Sequence, residues 1–116
     1  MRRISFFMLL ALCAVVCASG PGAQESGEPK RGLAVARENC ASCHAVGRGE
    51  RASPNPFAPP FEDMANLSGM TAIALNHLLH SSHESMPLLV LPPDDQWHVV
   101  AHILSLRRQE RSPERR

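Results

Sequence analysis

The sequence predicts a small all-helical domain with long loops. In three segments the apolar residues recur at three- and four-residue steps, which is the pattern of amphipathic helices. Prolines between Pro54 and Pro60 exclude regular helix or central strand in that stretch. No pair of alternating strands and no internal repeat is recognisable. A chain of 116 residues has room for one such domain at most.

The first predicted helix covers residues 32–43, with an apolar stripe formed by Leu33, Ala36, Cys40 and Cys43. Gly47 and Gly49 end it. The proline-containing loop that follows is long, and a loop of that length in a compact domain normally wraps something or carries function. A short helix is expected over residues 61–67, ending at Ser68-Gly69.

Two further helices are predicted in the second half of the chain. Thr71 is a suitable N-cap for a helix that runs to about Ser82, with residues spaced for burial at Ile73, Leu75, Leu78 and Leu79. Residues 83–93 are irregular. The last helix begins with Pro93, Asp94 and Asp95 in its first turn, and its stripe is Trp97, Val100, Ala101 and Leu104, widened by Val99, Ile103 and Leu106.

The N-terminal residues 1–18 are predicted to be a secretory signal peptide. Arg2 and Arg3 precede an uncharged apolar run that is short for a bilayer span, and small residues follow it. Cleavage is expected after Ala18, or as late as Ala23. An uncleaved N-terminal anchor is the alternative. The predicted location is therefore the periplasm, either as a free protein or anchored through this segment.

The remaining chain divides into a flexible linker (19–29), a folded domain (30–108) and a charged tail (109–116). The sequence holds 12 basic and 11 acidic residues, and no basic stripe indicates nucleic-acid binding. A domain of roughly 80 residues buries little surface and usually needs a disulfide, a metal or a cofactor in its core.

The stretch Cys40-Ala41-Ser42-Cys43-His44 supplies the chemistry. Of four cysteines, Cys13 and Cys17 leave with the signal peptide, so Cys40 and Cys43 are the mature pair. A redox dithiol needs a strand before the motif and a βαβ context, which the chain lacks. A zinc site needs a second pair of ligands, for which His77, His80 and His83 are the candidates.

Covalent haem attachment explains more of the sequence. Two thiols separated by two residues reach the porphyrin edge from one helical turn, and His44 then lies beneath the iron as proximal ligand. The Cys-x-x-Cys-His string is the sequence mark of this attachment. One haem c would also supply the apolar core that the sequence lacks.

With this motif, residues 31–106 resemble a small soluble class I cytochrome c. Gly32 stands where that family keeps a small residue for the crossing of its first and last helices. Met86-Pro87 stands where the family places its distal methionine, and the segment ending Val99-Val100-Ala101-His102-Ile103-Leu104 resembles its C-terminal helix. The fold implied is cytochrome c-like, with three to four helices and long loops around one haem.

The resemblance implies the remaining site residues. Met86 is expected as the distal ligand, and a histidine from His77, His80 or His83 is the alternative. A proline carbonyl is expected to accept the second ring proton of His44; Pro60 is the first choice, with Pro54 and Pro56 left open. Ordinary core or haem-wall positions are expected for Phe61, Leu75, Leu78, Leu79, Leu91, Trp97 and Leu104.

Two positions depart from the family pattern. His102 stands where the family commonly has a tyrosine in the helix crossing, so it either packs as a neutral imidazole or loosens the crossing. The chain has no Tyr and one Trp, so donors to the haem propionates are sought at Arg48, Arg51, Asn66 or the loop backbone.

The function implied is single-electron transfer without catalysis. The redox partners commonest for the family are a quinol-oxidising cytochrome complex, a terminal oxidase or a periplasmic dehydrogenase. An open or bis-histidine haem that binds gas or reduces peroxide is the alternative from another class. A thiol or zinc module without haem is the third.

Overall fold

The structure, a computed structural model, describes residues 27–81 and 86–109. The predicted signal peptide, His83 and nearly all of the predicted tail lie outside these ranges. The described residues form four helices and no strand: α1 (Pro29–Asn39), α2 (Phe61–Ala65), α3 (Ala72–His80) and α4 (Pro93–Ser105). The all-helical prediction is confirmed for this part of the chain.

No helix of the described ranges has both the length and the apolar character needed to cross a membrane.

The helix starts follow from local chemistry. The Thr71 hydroxyl accepts a hydrogen bond from the Ala74 amide at 3.1 Å, so Thr71 is the N-cap of α3 as predicted. Pro29 and Pro93 are the first residues of α1 and α4, where a fixed φ favours the helix and no amide hydrogen is needed. Asp94 and Asp95 place negative charge in the first turn of α4.

Helices α1 and α4 cross in direct backbone contact at Gly32. A Cβ atom built on Gly32 would lie 1.8 Å from the carbonyl oxygen of His98 and 2.8 Å from Cβ of His102. Only a glycine permits this approach. His102 is 5% exposed, and its Nε2 donates to the carbonyl of Val46 at 2.7 Å. The crossing is therefore close, and His102 packs inside it with a hydrogen-bond partner.

The hydrophobic core lies between this helix pair and the residues that α2 and α3 contribute. Its fully buried members on α4 are Val99, Val100 and Ile103. Trp97 and Leu104, which the sequence placed on the central stripe, pack at its edge instead. The buried face of α4 is thus centred on the residues expected to widen the stripe, since the contact of Gly32 with His98 and His102 fixes which side of α4 faces α1.

Two of the four positions on α3 predicted to be buried are exposed. Ile73 is 70% exposed and Leu78 is 39% exposed, whereas Leu75 is buried. The four positions cover more of the helix circumference than its neighbours bury, because α4 is the one helix of the described residues that α3 contacts. Phe61 and Leu91 are buried as expected.

Candidate functional site

The cysteine motif forms a single turn that follows α1. The predicted helix to Cys43 ends instead at Asn39, and Cys40 is its C-cap. The amides of Cys43 and His44 then donate to the carbonyl of Cys40, at 3.1 and 2.9 Å. This turn holds Cys40, Cys43 and His44 close together without continuing the helix.

The turn borders a cavity of about 390 Å³, within the range typical of small-molecule and cofactor sites. Cys40, Cys43 and His44 all contribute to its wall. The rest of the wall is mainly apolar and comes from the proline loop, α2, α3, the segment after residue 85 and α4: Phe57, Ala58, Pro59, Phe61, Met64, Leu67, Met70, Leu75, Leu78, Leu79, Met86, Pro87, Leu89 and Ile103. The motif therefore faces a space suited to a large apolar ligand.

The imidazole of His44 is fixed by one hydrogen bond. Its Nδ1 lies 2.7 Å from the carbonyl oxygen of Pro59. Because a carbonyl only accepts, Nδ1 carries the proton and donates it. In the neutral imidazole Nε2 then keeps its lone pair, and this is the arrangement found in histidines that ligate a metal.

The acceptor is Pro59, so the prediction of Pro60 is wrong by one residue, and neither Pro54 nor Pro56 accepts this hydrogen bond in its place. The carbonyl of Pro60 accepts hydrogen bonds from the amides of Asp63 and Met64, each at 3.1 Å. Pro60 is the N-cap residue of α2, and its carbonyl belongs to the first turn of that helix. The carbonyl just before the helix is free to face His44.

The proline loop returns to the motif through three hydrogen bonds. The Asn55 amide donates to the Cys43 carbonyl at 3.1 Å, and the Phe61 amide donates to the Ala45 carbonyl at 2.9 Å. The Ala45 amide donates to the Ser53 hydroxyl at 3.0 Å. The ring of Phe61 also lies 5.4 Å from that of His44, tilted by 50°. The loop thus wraps the histidine, as its length suggested.

Three methionine side chains line the cavity: Met64, Met70 and Met86. All three are half-buried. Met86, the predicted distal ligand, is one of them, and its place on the wall does not by itself assign it as a ligand. Met64 and Met70 are the other two. They also pack against the core cluster, which shows that the cavity and the core share one boundary.

His77 and His80, the competing histidines on α3, are exposed and do not line the cavity. The Nδ1 of His80 donates instead to the carbonyl of Asn76, at 2.7 Å. Within the described residues, His44 is the one histidine on the cavity wall. His83, the third candidate, lies outside the described residues.

The thiol of Cys40 is unsuited to ionic chemistry. Burial raises the pKa of the Cys40 thiol to about 11. At pH 7 about one molecule in ten thousand would carry the thiolate. Redox dithiols and zinc ligands depend on a thiolate, which is favoured by a lowered pKa. The environment of Cys40 is that of an apolar packing group.

Among residues 27–81 and 86–109, no group of three or more His, Cys, Asp or Glu side chains is placed to hold a metal ion.

The side chains expected as propionate donors, Arg48, Arg51 and Asn66, do not line the cavity, whereas residues 55 and 57–59 of the loop do. The Arg48 guanidinium donates to the carbonyl of Ser105, and the Asn66 amide group donates to the carbonyl of Glu62 at 2.6 Å. The polar residues on the wall are Asn39, Ser42, Asn55 and Asp63. Sequence reasoning missed them, because their position depends on the path of the loop and periodicity carries no signal for it.

Comparison with known protein families, with curated proteins and with solved structures found no match for this chain. The functional argument therefore depends on the cavity and on the residues around the cysteine turn.

Proposed function

We propose that this chain is an exported monohaem c-type cytochrome that carries single electrons between redox partners. Cys40 and Cys43 hold one haem through thioether bonds, His44 is its proximal ligand and Met86 its distal ligand. The observation that carries the proposal is the position of His44. It shares one turn with two thiols, lines an apolar cavity and donates its Nδ1 proton to the carbonyl of Pro59, so Nε2 is the nitrogen left for ligation.

The residues present fit a covalent haem. Both thiols are free and both border the cavity, Cys40 buried and Cys43 half-buried. The cavity wall is mainly apolar, as a porphyrin face requires, and the thioether of Met86 is part of it. A haem that filled this cavity would also supply the apolar core that so small a domain cannot build from its own side chains.

When bound, haem iron supplies a one-electron couple between the ferric and ferrous states. The chain's own residues set the conditions for that couple. The Pro59 carbonyl orients His44 and raises its basicity through the Nδ1 proton. As a second ligand, the Met86 thioether would favour the ferrous state and raise the reduction potential relative to a second imidazole. The apolar wall excludes water and raises the potential further.

The open side of the cavity supports contact with redox partners. Phe57 is 86% exposed and Leu67 is 57% exposed, yet both line the cavity. Both residues therefore lie where the cavity wall meets solvent. An electron carrier needs one edge of its cofactor accessible there, so that redox partners can form small, transient contacts with it. A quinol-oxidising cytochrome complex, a terminal oxidase or a periplasmic dehydrogenase is the class of partner proposed.

The test is covalent attachment itself. The full chain is produced with its N-terminal segment in a bacterium that attaches haem outside the cytoplasm, and the peptide containing Cys40 and Cys43 is analysed by mass spectrometry. We expect that peptide to carry the mass of one haem, and the Cys40→Ala, Cys43→Ala double variant to carry none. An unmodified wild-type peptide, obtained where a known cytochrome c matures normally, would overturn the proposal.

A further inference from the structure

The exposed face of α3 carries a pair of histidines that the proposed function does not use. His77 and His80 are three residues apart in the last turns of the helix, and both are exposed. Residues at this spacing are neighbours on a helix surface, with Cβ atoms about 5–6 Å apart. Two imidazoles at that separation can reach one metal ion.

The ring of His80 is held in a ligating tautomer. Its Nδ1 donates to the carbonyl of Asn76 at 2.7 Å, so Nε2 of the neutral ring has its lone pair available. The acceptor is the residue directly before His77, and the ring of His80 therefore folds back over the turn that carries His77. A carbonyl partner on the second ring nitrogen is the usual support of a metal-binding histidine.

The helix end adds a favourable field. His77 and His80 are the basic residues of the last turn of α3, where the aligned peptide dipoles of the helix give a partial negative charge. A cation bound there is stabilised by the same field. Imidazole ligands favour zinc, copper and nickel, and among the divalent ions of this row copper binds most tightly.

We propose that His77 and His80 form a surface site for one divalent transition-metal ion, with Cu²⁺ bound more tightly than Zn²⁺. The site is a two-imidazole chelate, and water completes the coordination. It is separate from the cavity, which neither histidine lines. It also does not depend on haem, so the proposed function and this site can fail independently of each other.

Isothermal titration calorimetry of the matured full chain with CuCl₂, in a buffer that does not bind copper, tests the site. We expect one Cu²⁺ per chain in the wild type. His77→Ala and His80→Ala should each weaken binding at least tenfold, and the double variant should be little weaker than either single one, because a chelate needs both rings. Asn76→Ala keeps the carbonyl that holds His80 and is the matched control, expected to bind as the wild type does.

A His83→Ala variant completes the experiment. Binding retained in His83→Ala and lost in His77→Ala supports the pair. Loss of binding in His83→Ala with full binding in His77→Ala or His80→Ala would overturn it. Binding of Cu²⁺ by the double variant as tightly as by the wild type would also overturn the proposal. Circular dichroism of each variant establishes that α3 is still folded.

Discussion

Replacing Gly32 by alanine perturbs the helix crossing at a single point. The added Cβ would lie 1.8 Å from the His98 carbonyl oxygen, and separations under 3.0 Å are essentially never found for real Cβ atoms. The obstacle is backbone of α4, which cannot turn aside as a long side chain can. Helices α1 and α4 must therefore move apart by more than 1 Å at the centre of the core.

The expected cost follows from two opposing effects. Overpacking of this kind typically costs about 1–3 kcal/mol. Replacing glycine by alanine inside a helix also stabilises the folded state by about 0.5–1 kcal/mol, because it lowers the conformational entropy of the unfolded chain. Because the obstacle is backbone, the cost should lie in the upper half of the overpacking range, about 2–3 kcal/mol. The net loss of unfolding free energy is then about 1–2.5 kcal/mol. For a domain of this size it lowers Tm by about 4–8 °C per kcal/mol.

Guanidinium unfolding followed by far-ultraviolet circular dichroism measures this loss. Arg31→Ala is the matched control: Arg31 is the adjacent residue of the same helix and is exposed, so a change within about 0.5 kcal/mol is expected. If Gly32→Ala were as stable as Arg31→Ala, the close crossing described for α1 and α4 would be refuted.

Three further predictions concern single side chains. Met86→Ala in the matured protein should lose the ferric methionine–iron charge-transfer band. The controls Met64→Leu and Met70→Leu alter the same cavity wall and should keep the band. If a control lost the band and Met86→Ala kept it, the methionine replaced in that control would be the ligand. His102→Ala should cost about 2–4 kcal/mol in guanidinium unfolding, because it leaves a cavity and an unpaired buried carbonyl; a loss below 0.5 kcal/mol would contradict its packing. In the chain without haem, iodoacetamide at pH 8 should alkylate Cys40 at least tenfold more slowly than the half-buried Cys43. The reason is that alkylation needs the thiolate, and burial raises the pKa of the Cys40 thiol to about 11. Equal alkylation rates, measured by mass spectrometry, would show that Cys40 is not buried.

The helix starts could be predicted from sequence because short-range chemistry decides them. Thr71 caps α3 through its own hydroxyl, and Pro93 begins α4 because its ring fixes φ. Gly32 was assigned to a close crossing by resemblance. The physical reason for a glycine there is that a Cβ atom would lie only 1.8 Å from the His98 carbonyl oxygen. The starts of α3 and α4 were thus within reach of the sequence, whereas α1 begins at Pro29, three residues before the predicted start and inside the predicted linker.

The details of the site were less predictable because they depend on the path of the loop. The choice between Pro59 and Pro60 turns on which carbonyl the first turn of α2 uses. Periodicity cannot separate two adjacent prolines. Likewise, Ile73 has the spacing of a buried residue but no neighbour to cover it, and that information lies in the packing of other helices.

The optical spectrum of the matured full chain, recorded in the ferric and ferrous states with and without carbon monoxide, tests the proposed electron carrier most directly. We predict sharp low-spin ferrous bands that carbon monoxide does not shift, together with the weak ferric methionine–iron charge-transfer band assigned to Met86. Low-spin bands without the charge-transfer band would contradict Met86 and indicate a second histidine as ligand. A high-spin ferrous spectrum that shifts with carbon monoxide would contradict electron transfer itself and indicate a ligand-binding haem.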